Sequence, residues 1–304
     1  MSKWWVYQKE RFPVFQHAPL VFVFSFSGLC YSSLLRDNFD WPEIHAIATA
    51  FLVALLFFLQ LRIADEFKDF EEDSQYRAYR PVPRGLVTLR QLGVLFVITG
   101  VIQLSLTLFL YPPLVWLLVV AWTYLAAMSK EFFVREWLEG KPVTYLLTHM
   151  GIMPLIDLFI TSCDWRVAGL AWPGSGIYWF LMVSFFNGIL IEFGRKIRAP
   201  EDEEEGVRTY SVLWGRNIAV CAWLGAIACN AIGAILAAGN IGFLLPAIVI
   251  LTALFAIAVW VATSFLKSPK TEKAKRIEMY SGIWTLLMYL CLGPLSLGIE
   301  LLAR

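Results

Sequence analysis

The sequence predicts an all-α fold: a polytopic membrane bundle of about nine transmembrane helices, read as one integral-membrane domain over residues 1–304. Three observations predict it. Hydrophobic residues make up 59% of the chain and charged residues only 16%, where a soluble domain carries about a quarter charged residues. Apolar runs of about 20 residues recur, the length that crosses a hydrocarbon layer roughly 30 Å thick. Finally, 22 of the 25 Lys and Arg residues fall on alternate connections between those runs, leaving Arg36, Arg166 and Arg304 on the other side.

Element by element, the runs occupy roughly 18–35, 43–64, 91–110, 112–129, 142–162, 176–197, 217–238, 241–264 and 281–302. Gly, Pro and polar residues interrupt several of them, which bundled membrane helices tolerate when neighbours satisfy the freed backbone groups. The N-terminal MSKWWVYQKERF lacks an apolar signal core and a cleavage site, so the first span is expected to stay. The basic bias orients the bundle with the N-terminus and even-numbered connections cytoplasmic and the C-terminus outside. The net charge of +1 gives no reason to expect nucleic acid, because the basic residues follow membrane topology.

Cysteines and histidines carry no signal. Cys30, Cys163, Cys221, Cys229 and Cys291 are isolated, and none forms a metal or redox spacing. His17, His45 and His149 are likewise scattered, so a zinc site is not expected. No phosphate loop, dinucleotide fingerprint or nucleophile elbow is present.

Two charged connections remain, both expected in the cytoplasm. The first, 65–90, opens with LRIADEFKDFEED: Asp65, Asp69 and Asp73 recur every four residues and so share one helical face. Three carboxylates that close repel one another without a cation. Oxygen ligands suit Mg²⁺, which takes one or two carboxylates plus substrate phosphates. Arg77, Arg80 and Arg84 follow, and guanidinium groups grip phosphate oxygens. Pro81 and Pro83 end the helical pattern and Gly85 permits a turn. A solvated loop whose acids and bases neutralise each other is the alternative.

The second connection, 195–216, follows NGILIEFGRKIR. Glu192 lies near the end of an apolar run, where a carboxylate is costly, one turn before Lys196. Arg195 and Arg198 flank Lys196, and then come Glu201, Asp202, Glu203, Glu204 and Glu205. Five adjacent acids cannot all face one ion, and much of the run reads as solvated surface. Glu201 with Glu205, or Asp202 with Arg198, could pair on a helix. Asp157 and Asn187 are polar at membrane depth, as acceptor-binding groups or as hydrogen-bond partners inside the bundle.

These stretches resemble a known family. Residues 65–73, followed by Arg80-Pro-Val-Pro-Arg-Gly85, are similar to the first signature of the UbiA superfamily of intramembrane prenyltransferases, N-D-x-x-D-x-x-x-D with R-P-L-P-x-G. Asp69 and Asp73 match its last two aspartates, and Asp65 stands where Asn is usual. Residues 202–215 resemble the D-x-x-x-G-x-x-T-x-x-V-x-x-G end of the second signature, and Tyr124 with Lys130 resembles the Tyr…Lys stretch closing the fourth span. Arg198 departs from the pattern, since it falls where the second signature carries an aspartate.

The resemblance implies Mg²⁺ held by Asp65, Asp69 and Asp73, with Asp202 from the second loop, and an isoprenyl diphosphate as substrate. Arg77, Arg80, Lys130, Tyr124, Glu192, Arg195, Lys196 and Arg198 would carry binding and ionisation. The prenyl group would pass to a lipophilic, aromatic acceptor within the membrane lipids. In a smaller branch of the family the cation is quenched in its own chain, which makes a terpene cyclase. A divalent-cation transporter is the reading from a different class, and it calls for ionisable groups nearer the bilayer midplane.

Overall fold

Nine helices among the residues described here are long and apolar enough to cross a membrane, and they match the nine predicted runs. The computed structural model describes residues 2–204 and 206–303, with the backbone alone at Glu139. Glu205 and Arg304, both invoked above, lie outside the described residues. No strand occurs among the described residues. Packing divides the chain into two compact units: residues 1–29 with 42–172, and residues 30–41 with 173–304.

The first unit opens with a short helix, α1 (Lys3–Arg11), and the start of α2 (Val14–Leu34). The second span, α3 (Ile44–Lys68), continues past a kink into α4 (Phe70–Tyr76). Sequence spacing predicts one continuous helix through the acidic residues, and the structure bends it at Asp69, where φ is −93° and ψ is 6°. The cause is charge: acids crowd the negative end of a helix dipole and repel at i, i+4. The amides of Asp69, Asp73 and Arg77 still bond to carbonyls four residues back at 2.8–2.9 Å. Residues 81–85 form the expected turn, with Gly85 at φ +77°, a region where a side chain would be strained. Thr88 and Gln91 then cap α5 (Leu89–Leu110) reciprocally.

Tyr7, Ile63, Val82, Val87 and Leu92 form one buried cluster, so α1, α3, the Pro-rich turn and α5 are packed together around the acidic segment. The unit is completed by α6 (Val115–Ser129), α7 (Arg135–Glu139), α8 (Pro142–Met150) and α9 (Ile152–Trp165). The fifth span is thus two helices meeting at Gly151. A Cβ there would collide with the Tyr124 hydroxyl, so glycine is what admits that side chain.

The second unit contains α10 (Ile177–Lys196), α11 (Tyr210–Trp214), α12 (Arg216–Gly239), α13 (Leu244–Lys267), α14 (Thr271–Leu290) and α15 (Ser296–Ala303). Lipid tails are as apolar as leucine, so polar links and small residues must hold such helices together. Asn230 does the first. It donates to the carbonyl of Val183 (2.9 Å) and to Asn187 Oδ1 (3.1 Å), and accepts from Trp284 Nε1 (2.8 Å). Gly194 does the second: a Cβ on it would lie 3.1 Å from the Glu278 backbone and 2.7 Å from Ser281 Oγ. The ninth span begins at Thr271, ten residues before the apolar run. Its polar start is helical because Glu201 caps the Thr271 amide at 2.9 Å. A short π-helical stretch at Cys291–Leu295 accommodates Pro294.

Candidate active site: a half-buried aspartate pair at the end of the second span

The three predicted aspartates meet three different environments. Asp65, on the last turn of α3, keeps 46% of its side chain exposed and has Arg62 Nη1 at 3.6 Å. Asp69 sits at the kink, half-buried and without an ion-pair partner among the described residues. Burial pushes its carboxyl up to about 6; Asp65, Asp73 and Glu72 add to that and Lys68 opposes it. Asp73 is buried, with Arg80 Nη1 donating to both its oxygens at 2.8 and 2.6 Å and Arg77 Nε at 3.0 Å. Arg77 also reaches Glu72 at 2.5 Å. Partial burial works against the Arg80 charge, and Asp73 outweighs it, holding the guanidinium above its ordinary range.

Among the described residues no three His, Cys, Asp or Glu side chains converge as a metal site. Two carboxylates remain open, Asp65 and Asp69. Their oxygens, and the like-charge crowding that raises Asp69, fit a divalent cation that completes its shell with phosphate oxygens. Asp73 would have to surrender two arginines to join them.

Lys130 caps the end of α6 and is exposed. Tyr124 donates to the carbonyl of Thr148 at 2.6 Å. After Lys130 the backbone turns left-handed for three successive non-glycine residues, Glu131, Phe132 and Phe133, at φ +50°, +52° and +61°. That conformation costs about 1–2 kcal/mol per residue, and strain of this kind collects at functional positions. Glu131 is 5% exposed; its Oε1 lies 2.5 Å from Lys68 Nζ and its Oε2 3.1 Å from His149 Nε2. Burial alone would push the Glu131 carboxyl up, but His149 and Lys68 bring it down to about 2. Lys68 also bonds the Tyr145 hydroxyl and lies over its ring.

Sequence reasoning missed this knot, as well as the buried Glu66 that pairs with Arg11. One signal was legible: Glu131 stands just beyond an apolar run, where an unpaired carboxylate is costly. The left-handed turn had none, because Glu-Phe-Phe contains no residue that favours positive φ.

In the second unit the charged loop is held by its own residues. Glu192 pairs with Lys196 at 2.7 Å and Arg195 at 3.7 Å, and Lys196 lies over the Tyr210 ring. Arg198 Nη1 donates to the Asp202 carbonyl (3.2 Å) and the Glu204 carboxylate (3.3 Å), in place of an Asp202 side-chain pair. Asp202 Oδ1 accepts from the Thr271 hydroxyl at 2.9 Å, and Glu203 accepts from Thr209 at 2.7 Å. A cavity of about 260 Å³ opens between the end of α10 and the start of α14, lined by Arg195, Arg198, Asp202, Lys275 and Glu278. Asn187 belongs to the Asn230 network described above, and Asp157 is fully buried.

The model of the UbiA prenyltransferase family matches residues 20–299. The chain belongs to this family. Two solved structures share its fold. One is a digeranylgeranylglyceryl phosphate synthase, at 15% identity and a TM-score of 0.61, covering 96% of this chain and 98% of that one. The other is the apo form of a UbiA homologue from Aeropyrum pernix K1, at 13% identity and 0.67, covering 90% and 96%. A search of curated proteins finds no match. The chain is accordingly an integral membrane protein of the UbiA prenyltransferase family, with the all-α bundle its sequence predicts.

Proposed function

We propose that this UbiA-family protein ionises an isoprenyl diphosphate at the end of its second span and transfers the prenyl group to a lipophilic, aromatic acceptor. The observation that carries the reading is the open pair Asp65 and Asp69, crowded by like charge, with Arg62 beside Asp65 and with Arg77 and Arg80 on the neighbouring Asp73. Mg²⁺ held by Asp65 and Asp69, when bound, would supply charge to the departing diphosphate. The residues of the chain do the rest. Asp73 holds Arg77 and Arg80 in fixed orientation beside the pair, and preorganised donors stabilise developing charge without reorganising. Lys130, exposed at the end of α6, is a mobile donor for phosphate oxygens. Tyr124, fixed by the Thr148 carbonyl, presents its ring to Phe132 at 5.4 Å; an aromatic face of this kind stabilises a cation. In the second unit, Arg195, Lys196 and Arg198 are phosphate-binding candidates in their own right, and Asp202 is a metal ligand only if it releases Thr271.

The test is incubation of purified protein with Mg²⁺ and ten-, fifteen- or twenty-carbon prenyl diphosphates, with and without a phenolic acceptor. Diphosphate release and a prenylated product that both require the acceptor support transfer. Hydrocarbon or terpene alcohol formed without acceptor would assign the protein to cyclisation. Absence of diphosphate release together with Mn²⁺ flux in proteoliposomes would replace both with transport.

A further inference from the structure

Lys68 occupies a position that the family signature leaves open, directly before Asp69 and one helical turn after Asp65. Lysine at i+3 from an aspartate is within reach of an ion pair on a helix. It does not make that pair. Its ammonium is drawn instead to Glu131 at 2.5 Å and to the Tyr145 hydroxyl and ring. Glu131 is itself held on three sides. His149 Nε2 lies against its second oxygen, the Tyr145 hydroxyl is 3.3 Å from its first, and the left-handed turn fixes its backbone. His149 is held in turn, with Nδ1 against the Tyr145 carbonyl at 2.8 Å and its ring stacked on Tyr145 at 3.9 Å. The knot therefore has one arm that reaches the acidic segment, and that arm is Lys68.

We infer that Glu131 is a positioning residue: it draws the Lys68 ammonium out of an ion pair with Asp65 or Asp69 and so keeps those two carboxylates available to a divalent cation. The inference rests on the metal reading of Asp65 and Asp69 given above. Without the Glu131 charge, the carboxylate one turn from Lys68 on its own helix is Asp65; Glu71 and Glu72 lie beyond the kink, on α4. Glu72 is already taken by Arg77. Lys68 would then turn to Asp65 and compete with the ion. An adjacent opposite charge alters a carboxylate's proton affinity by about tenfold or more, and competition of that size is expected for a metal.

The experiment is Mn²⁺ titration of the detergent-solubilised full chain, reading free Mn²⁺ by electron paramagnetic resonance, with melting curves as a check on folding. E131Q should weaken Mn²⁺ binding about tenfold, E131D should stay near wild type, and K68M/E131Q should recover wild-type affinity. A clamp with a merely structural role predicts no recovery, since the double variant loses more of the knot than E131Q does. Wild-type affinity in E131Q, or a double variant as weak as E131Q, overturns the inference. If E131Q does not fold, K68M alone decides: affinity equal to or above wild type supports sequestration, and weaker binding overturns it. Absence of Mn²⁺ binding in the wild-type protein would remove the metal reading and this inference together. Binding that is indifferent to Glu131 would remove only the latter.

Discussion

Asp73→Asn tests the division of labour within the acidic segment. The carboxylate is 2% exposed and binds Arg80 through both oxygens and Arg77 through Nε. Removing one partner of a buried ion pair costs about 3–5 kcal/mol, chiefly because the remaining charge is left uncompensated. Arg77 and Arg80 keep 14% and 19% of their side chains exposed, and Arg77 retains Glu72, which points to the lower end, about 3 kcal/mol. At roughly 2 °C per kcal/mol for a chain of this size, the melting temperature should fall by about 6 °C. The assay is intrinsic tryptophan fluorescence on heating in detergent with a chelator present. Under the same conditions Asp65→Asn and Asp69→Asn should leave the midpoint unchanged or raise it, since each relieves like-charge repulsion. If Asp73→Asn melts with the wild type while Asp65→Asn falls, the structural and ligand roles assigned here are reversed.

Further outcomes follow from the structure. Asp69 is raised to about 6, so an ion must displace a proton below that pH; Mn²⁺ affinity at pH 5 should be about tenfold weaker than at pH 7.5, with the dependence lost in Asp69→Asn. In metal-free protein the sign is opposite for stability: this raised carboxyl favours the fold fully below its ordinary range, and the benefit is lost as pH climbs through about 6. Glu131 is lowered to about 2, so its contribution is present above the usual glutamate range and is lost as pH falls through about 2; acid-unfolding curves of wild type and E131Q should therefore converge at low pH. Gly194→Ala forces a Cβ against the Glu278 backbone and Ser281 and should cost about 1–3 kcal/mol, seen as a lower midpoint, whereas Gly225→Ala, which meets open space, should not.

The legible part of this protein is what periodicity and charge encode locally. All nine spans were readable because twenty-residue apolar runs have few other uses in a chain. Pro81, Pro83 and Gly85 announced their turn for the same reason: their backbone preferences act whatever surrounds them. The acidic segment was legible as a spacing and only in part as a site. Equal spacing of Asp65, Asp69 and Asp73 said nothing of which would be buried by Arg77 and Arg80, because that depends on the kink and on the packing of residues 81–87 over Tyr7 and Ile63. Glu131 was illegible as the partner of Lys68, and His149 as the partner of Glu131. Glu131 lies 63 residues from Lys68 and 18 from His149 in sequence, and only the fold joins the three. In the second loop, the acidic run read as one object, yet Glu201 caps a helix and Glu203 secures Thr209.

The electrostatic design of the first unit turns on which charges are left over. Carboxylates are disfavoured at the C-terminal end of a helix, yet α3 ends in Asp65, Glu66 and Asp69. Five cations lie close by, and four are committed: Arg11 to Glu66, Arg77 and Arg80 to Asp73, and Lys68 to Glu131. Arg62 leans toward the open pair, 3.6 Å from Asp65, whose side chain is 46% exposed. A segment built only to be solvated would have let Lys68 neutralise Asp65 one turn away, at no cost in backbone strain. Instead a left-handed turn of three non-glycine residues holds the carboxylate that draws Lys68 off. The residual negative charge at Asp65 and Asp69 is therefore maintained against local stability. An ion that binds only the folded state returns that stability as its concentration rises, by about 2.7 kcal/mol at a hundredfold excess over Kd. On the metal reading proposed above, a pair kept free of Lys68 in this way is what a divalent cation would use, and that sets Asp65 and Asp69 apart from the other acids of the loop.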